Sequence, residues 1–346
     1  MNEPGIIKES RRPRADLLAL VAGIVFSLAF TAIIALAGPR LAEIPHLPDQ
    51  GAAWYYWRLI QPTFQSRASA WGLYALHQLA LWGLIYFAQT RVKRYTVGLH
   101  PVNVVALGIN ALFIALHFVQ THVWYDGLAQ DVSIFSSQGA VVLLLVWVLL
   151  MENNRRGLFF GKKLPISAQI TRFARKYHGY LFAWAIVYTF WFHPMESSAG
   201  HLVGFAYMFL LLLQGSLFFT RIHTNRWWTM GQELMVLAHG SLVAVVQGNG
   251  LWPMFAFGFG GIFVITQMHG VGLRLWHKAT LLAFYISATL FVYSDRGWEN
   301  LNEVVRIPAI EYLAVIVLAG LLGVGLWLGR CLLRSSAGSD EAALVG

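Results

Sequence analysis

Cysteine is almost absent from this chain, which has one such residue, Cys331, among its 346. A single thiol cannot form an intramolecular disulfide, a CxxC redox pair or the CxxCH motif that attaches haem covalently. The chain also lacks a GxxxxGKS/T phosphate loop, the GxSxG elbow of serine hydrolases and the clustered HxxHH boxes of membrane desaturases. The sequence therefore excludes a disulfide-held fold and a c-type cytochrome, and it gives no sign of those other classes.

Charged residues are also scarce. They make up 12% of the chain, whereas soluble domains typically have about 25%, and hydrophobic residues make up 57%. Most of the surface is therefore expected to face lipid. Because no charge run or Ser/Gly-rich linker divides the chain, residues 1–346 are predicted to form a single integral membrane domain.

Long apolar runs are abundant. About 20 helical residues cross the 30 Å hydrocarbon core of a bilayer, so each run of that length is a candidate span. The candidates lie near residues 15–38, 69–89, 98–121, 133–152, 177–194, 200–220, 230–248, 251–269, 275–294 and 307–330. The first run is longer than a cleavable signal peptide requires and is interpreted as a retained anchor. The sequence thus predicts an all-α, polytopic bundle of about ten transmembrane helices.

The basic residues indicate the orientation of this bundle. With the N-terminus inside, twenty Lys and Arg residues fall on the cytoplasmic side and five fall outside, namely Arg40, Arg58, Arg67, Arg296 and Arg306. Such a bias is the usual signature of cytoplasmic loops. The net charge of +9 is therefore explained by topology rather than by nucleic-acid binding. The prediction is a multi-pass protein of the inner membrane with both termini in the cytoplasm.

Histidines in the third and fifth spans occur at matching levels. His100 and His117 are 17 residues apart, about 25 Å along a helix, and His178 and His193 are 15 apart, about 22 Å. Both spans run from inside to outside, so side by side they would present one histidine pair near each surface. Imidazole is a common axial ligand of haem iron, which predicts two b-type haems, one between His100 and His178 and one between His117 and His193.

The stretch from Arg175 through His178 and Gly179 to His193 resembles the membrane domains of ferric reductases and related di-haem b-type cytochromes. In that family, paired histidines on two like-directed helices hold two haems. The resemblance covers spans three to five. It implies a membrane oxidoreductase that moves electrons between a quinol or similar donor and an acceptor, with basic residues near the haem propionates and a glycine beside the macrocycle.

A second group of polar residues is predicted near the outer surface. Its members are His117, His122, Asp126, Asp131, His193, Glu196 and His201. Nitrogen and carboxylate ligands of this kind suit zinc or non-haem iron, and the predicted metal site consists of His122, Asp126, Glu196 and His201. With an activated water at an open position, such a centre predicts an alternative function. The chain would then be a metal-dependent membrane enzyme acting on a lipid or lipid-linked substrate.

A third, looser group of polar residues is predicted near the middle of the membrane. Its members are His77, Gln78, Gln214, His239, Ser241, Gln247 and Gln267. They could bind a quinone head group, relay protons, line a transport path or join neighbouring helices. His223, by contrast, is interpreted as part of a solvated cytoplasmic loop.

Overall fold

The chain is all-helical in the computed structural model, which describes residues 14–48, 57–92, 96, 98–248 and 250–343, with side chains described as far as 331. Within these residues it forms ten α-helices, one for each predicted apolar run. They are α1 (Ala15–Ala37), α2 (Phe64–Arg91), α3 (Pro101–Trp124), α4 (Ile134–Arg156), α5 (Ala168–Phe192), α6 (Ala199–Ser216), α7 (Arg226–Val246), α8 (Trp252–Ile265), α9 (Leu275–Arg296) and α10 (Glu303–Ala343). The prediction of an all-α fold is confirmed.

Seven helical segments of the described residues are long and apolar enough to cross a membrane. They are α1 with the turn after it, α3, α4, α6, α7, α9 and α10 with the turn before it. α2 and α5 are long enough but more polar, and α8 has only 14 residues. Several long apolar helices of this kind are what an integral membrane protein has.

Polar side chains define where many of the helices begin. Thr63 caps α2 in a reciprocal arrangement with Ser66, and Ser133, Ser167 and Ser198 each accept a backbone N–H at the start of α4, α5 and α6. These oxygens satisfy donors that have no partner within the helix. The chain thus marks its helix starts with hydroxyl groups even where the following residues are strongly apolar.

Four helices form a closed group around the main core. α2 packs against α3 and α5, and α6 packs against the same two helices, so α3 and α5 lie diagonally across the group. Large buried rings fill the space between them, among them Phe113, Phe190 and Trp191. The third and fifth helices therefore meet through these rings rather than lying side by side.

A second group of helices adjoins the first. α4 packs against α5 and α10, and α10 packs against α8, which also contacts α7 and α9. α9 lies at the edge and leaves large apolar side chains exposed, including Leu275, Phe284 and Phe291. A helix that is apolar on its exposed face suits a lipid environment.

The predicted boundaries differ most at α10, which ends at Ala343 instead of 330, and at α5, which begins at Ala168 instead of 177. The first turns of α5 contain Arg172, Arg175 and Lys176. These charged residues interrupt the apolar run, so the apolar pattern does not predict this part of the helix. Part of the predicted inner-side basic set, namely Lys8, Arg11, Arg12, Lys93 and Arg94, lies outside the described residues.

Candidate functional site

Two histidine rings lie next to each other at the end of the molecule where α5 begins. The ring centres of His178, on α5, and His223, between α6 and α7, are 6.1 Å apart, and their planes are inclined by 37°. His178 donates from Nδ1 to the carbonyl of Arg175 at 2.7 Å, and His223 donates from Nδ1 to that of Gln214 at 2.9 Å. Because a carbonyl can only accept, each neutral ring leaves the lone pair on Nε2 for another partner.

The connection that carries His223 is held in place by polar contacts. Asn103 of α3 donates from Nδ2 to the carbonyls of Ser216 and Phe218, both at 2.8 Å. Gln214 donates from its amide to the carbonyl of His223 at 3.0 Å. The carbonyl of Ser216, the last residue of α6, is thereby satisfied, and the histidine is fixed relative to the helix that precedes it.

The charge state of His223 follows from its surroundings. Burial, followed by the nearby His178, lowers the pKa of this imidazole to about 4, while the Gln214 carbonyl acts in the opposite direction. His223 is therefore neutral at physiological pH. Neutral imidazole with Nδ1–H bound to a backbone carbonyl is the usual state of a histidine that ligates a metal through Nε2.

The two other residues predicted near this end have local structural contacts. His100 precedes the first turn of α3, and its backbone N–H donates to Oδ1 of Asn103 at 2.8 Å. Gly179 faces α2, where an added Cβ would lie 3.6 Å from Cγ2 of Ile85. This glycine contributes to the packing of α5 on α2, and the ring beside His178 is that of His223.

The predicted outer pair has a different geometry. His117 donates from Nε2 to the carbonyl of His193 at 2.8 Å, and its Nδ1 lies 3.2 Å from Oε1 of Gln120. The ring of His193 faces His201 instead, with ring centres 5.4 Å apart. Burial, followed by the charges of neighbouring histidines, sets the pKa of His193 well below its ordinary value.

A haem does not fit between His117 and His193. Both ring nitrogens of His117 are engaged by protein groups, and its side chain has no exposed surface. Phe190, Trp191 and Phe205 surround the ring, with the Trp191 ring centre 4.2 Å away. Close-packed rings leave neither a free nitrogen for iron nor room for a macrocycle.

His77, which the sequence places near mid-membrane, belongs to a network that joins four helices. Trp191 donates from its indole nitrogen to Nδ1 of His77 at 3.2 Å, and His77 donates from Nε2 to Oδ1 of Asn110 at 2.8 Å. Asn110 in turn donates to Oγ of Ser216 at 2.8 Å. An indole nitrogen can only donate, so this hydrogen-bond network cannot relay a proton through Trp191. The geometry favours the interpretation that His77 joins helices.

At the opposite end, three side chains form a short hydrogen-bonded row. Tyr125 donates from Oη to Oε1 of Glu196 at 2.5 Å and accepts from Nε2 of His46 at 2.6 Å. Tyr125 adopts a φ of 43°, in the left-handed region that side chains rarely occupy. Burial raises the pKa of Glu196 and lowers that of His46, so burial favours the neutral form of both.

The residues of the predicted outer metal centre each have a separate partner. His122 donates to the carbonyl four residues before it, and Asp126 accepts from Oγ of Ser66 at 2.9 Å. His201 bonds through Nδ1 to the serine hydroxyl three residues before it, and Glu196 is held by the tyrosine of the row. In the described part of the chain, no three His, Cys, Asp or Glu side chains are grouped as ligands of one ion.

Asp126 makes stability depend on pH. Burial raises its pKa from 3.8 to about 6, against the hydrogen bonds from Gly127 and Ser66. The folded state therefore holds this proton more tightly than the unfolded chain does, so the contribution of Asp126 to the free energy of unfolding should fall as pH rises from about 4 to about 6. The full shift corresponds to about 3 kcal/mol, and Asp126→Asn should remove this contribution. The free energy of unfolding of wild type minus that of the variant should therefore fall between about pH 4 and 6 in unfolding titrations at pH 4 to 8.

The matched control for this substitution is Asp131→Asn. Asp131 pairs with Arg67 at 2.9 Å, and both side chains are partly exposed. The charge of Asp131 is a smaller cause of the Asp126 shift than burial, so its replacement should leave most of the Asp126 contribution between pH 4 and 6 in place. An Asp126→Asn protein that kept the wild-type slope would assign the pH dependence to another group.

Sequence reasoning missed the residues that meet from distant parts of the chain. His223 was interpreted as solvated because it follows Arg221 in a polar connection, yet that connection lies at the level of His178. His46 and Tyr125 are separated by 79 positions, and no local motif signals their contact. No family model matches the chain, and neither a characterised protein nor a solved structure shows significant similarity to it.

Proposed function

We propose that the chain is an inner-membrane protein with ten transmembrane helices and both termini in the cytoplasm. α5 is enclosed by α2, α4, α6 and α10, and a helix among protein neighbours tolerates polar residues that lipid would not. α8 covers about 21 Å, and the turn that continues it to Gly270 adds about 8 Å, close to the thickness of the hydrocarbon core. The distribution of twenty basic residues against five supports the orientation.

We further propose that the protein is a b-type cytochrome in which His178 and His223 are the axial ligands of one haem. The observation that carries this proposal is the geometry of the two rings. Imidazoles bound to opposite faces of one iron, each about 2 Å away through its nitrogen, have ring centres about 6 Å apart. The separation of 6.1 Å agrees with this value.

The surroundings of the pair support the same assignment. Both rings hold Nδ1–H on a backbone carbonyl and keep Nε2 available. Both also retain some exposed surface, unlike His117. The exposed guanidinium of Arg221, two residues before His223, supplies positive charge of the kind that carboxylates of a haem require.

The chemistry of the proposed site is electron transfer. A haem with two imidazole ligands supplies reversible one-electron oxidation and reduction. The residues of the chain hold the rings neutral, orient them and place positive charge nearby. A quinol as electron donor stays a prediction from the sequence, and the metal-dependent enzyme and the transporter stay alternatives that no arrangement among the described residues favours.

Haem binding by ligand variants tests the proposal. The detergent-purified apoprotein is titrated with hemin, and binding is followed by the Soret absorbance. His178→Ala and His223→Ala should each bind at least tenfold more weakly than wild type, because loss of a ligand costs no less than the 10- to 100-fold seen for groups that orient ligands.

His277→Ala is the matched control, since this histidine begins α9 and stacks on Trp276 with ring centres 3.6 Å apart. The affinity of the His277→Ala protein for hemin should equal that of wild type. If wild type and the three variants all bound hemin equally, or if none of them bound it, His178 and His223 would not be the ligands of a haem.

A further inference from the structure

We propose that the groove between α2, α4 and α5 binds one anionic phospholipid. The groove is an open cavity of about 420 Å³. It is lined by Trp82, Trp147, Phe173, Tyr177, Tyr180, Leu181 and Trp184. This site does not depend on the proposed haem, because Tyr177, Tyr180 and Trp184 lie on a different face of α5 from His178.

The lining of the groove suits acyl chains. Trp82 donates its indole N–H to the carbonyl of Tyr180 at 2.9 Å, and Trp147 donates to that of Ala174 at 3.0 Å. The polar atoms of these two rings are therefore already satisfied, and they present carbon surface to the cavity. Such a surface offers little to a polar head group and much to hydrocarbon.

The length of the groove fits one leaflet of a bilayer. From Phe173 to Trp184 the α5 backbone rises about 16 Å, close to half of the 30 Å hydrocarbon core. One end of the groove lies near the first turns of α5, and the other lies near mid-membrane. A lipid of the leaflet at the α5 start could therefore lie along it with its head group at the first turns.

Charge complementarity selects an anionic head group. Lys176 lies at the α5 start of the groove, with Nζ 5.1 Å from the ring centre of Tyr177. Arg172 lies one helical turn earlier, and both side chains are exposed. Neither forms an ion pair with a carboxylate among the described residues, so both remain available to a phosphate group. Basic pockets between transmembrane helices on the cytoplasmic side are the usual binding sites of anionic head groups.

Fluorescence quenching by brominated lipids tests the proposal. The full chain is reconstituted in phosphatidylcholine nanodiscs, and brominated phosphatidylglycerol or brominated phosphatidylcholine is added in increasing mole fraction. Tryptophan fluorescence should be half-quenched at a several-fold lower mole fraction of the phosphatidylglycerol. Trp147→Phe should reduce the amplitude of this selective quenching, because its indole lines the groove.

The charged end is tested by Lys176→Gln, with Lys163→Gln as the matched control. Each basic residue near a membrane surface contributes about a fivefold preference for anionic lipid, so the Lys176 variant should need about fivefold more phosphatidylglycerol. Lys163 is an exposed residue of the α4–α5 connection that does not line the groove, so its replacement should reduce the preference less than Lys176→Gln does. Arg172→Gln provides a second variant with an effect of the same sign.

Three results would overturn the proposal. Equal half-quenching by the two brominated lipids would show that the groove takes hydrocarbon without selecting a head group. Equal losses in the Lys176 and Lys163 variants would show attraction to the charged surface as a whole. A third such result is that a quinone displaces the brominated phosphatidylglycerol, and so removes the quenching, as well as unbrominated phosphatidylglycerol does at the same mole fraction. The groove would then be assigned to quinones instead.

Discussion

Arg156→Leu is expected to lower the free energy of unfolding by about 3 to 5 kcal/mol, because it leaves the carboxylate of Glu233 buried without its partner. The side chain of Arg156 is 2% exposed, and its Nη1 donates to both carboxylate oxygens of Glu233 at 2.9 and 2.7 Å. The pair joins the end of α4 to α7 beside a small cavity lined by Gln267. Circular dichroism during denaturant titration in mixed micelles measures the change.

The preceding residue is the natural control for this substitution. Arg155 is 40% exposed and pairs with Glu152, so Arg155→Leu should cost about 1 kcal/mol or less. The double variant Arg156→Leu with Glu233→Leu should recover most of the lost stability, since replacing both members of a buried pair is often neutral or stabilising. If the double variant were as unstable as Arg156→Leu alone, packing rather than the unpaired charge would explain the loss.

Trp191→Ala is expected to destabilise the fold by about 3 to 5 kcal/mol. Trp191 is fully buried at the centre of the group formed by α2, α3, α5 and α6. Its loss would open a cavity and would also leave Nδ1 of His77 without a donor. The free energy of unfolding, measured in the same titration, gives the size of the effect.

Two further variants separate these contributions. Trp191→Phe keeps most of the ring and removes the indole donor, so it should cost about 1 to 3 kcal/mol. Trp327→Ala changes a side chain of α10 that is 57% exposed, and its effect should stay within about 0.5 kcal/mol. A loss for Trp327→Ala as large as that for Trp191→Ala would mean that the four-helix group is not the core of the structure.

The helices of this protein could be predicted because lipid demands long apolar runs. Each of the ten runs corresponds to one helix among the described residues. The ends of the helices were harder to predict where a helix contains charged residues or is shorter than a full membrane span. α5 extends through Arg172, Arg175 and Lys176. α8 ends at Ile265, where the hydroxyl of the next residue, Thr266, donates to the carbonyl of Leu158 and lies 2.8 Å from the hydroxyl of Tyr312. Helix capping and tertiary contacts determine these ends, and neither can be predicted from an apolar run in the sequence.

The candidate site could be predicted only in part, because it depends on which helices are neighbours. His178 was singled out by its spacing from His193 on one helix. Its partner in space, His223, lies 45 positions later in a connection, and no periodicity links the two. The expected pairing of His117 with His193 depended on α3 and α5 lying side by side. The diagonal position of these helices fills that space with aromatic rings instead.

The reduced-minus-oxidised visible spectrum of the detergent-purified protein, with haem quantified per polypeptide, tests the central proposal most directly. The account predicts a sharp α band and a shifted Soret band at close to one haem per chain, with the spectrum of a low-spin iron that has two imidazole ligands. A colourless protein purified from haem-supplied cells would contradict it. Two haems per chain would also contradict it, because the surroundings of His117 leave no place for a second.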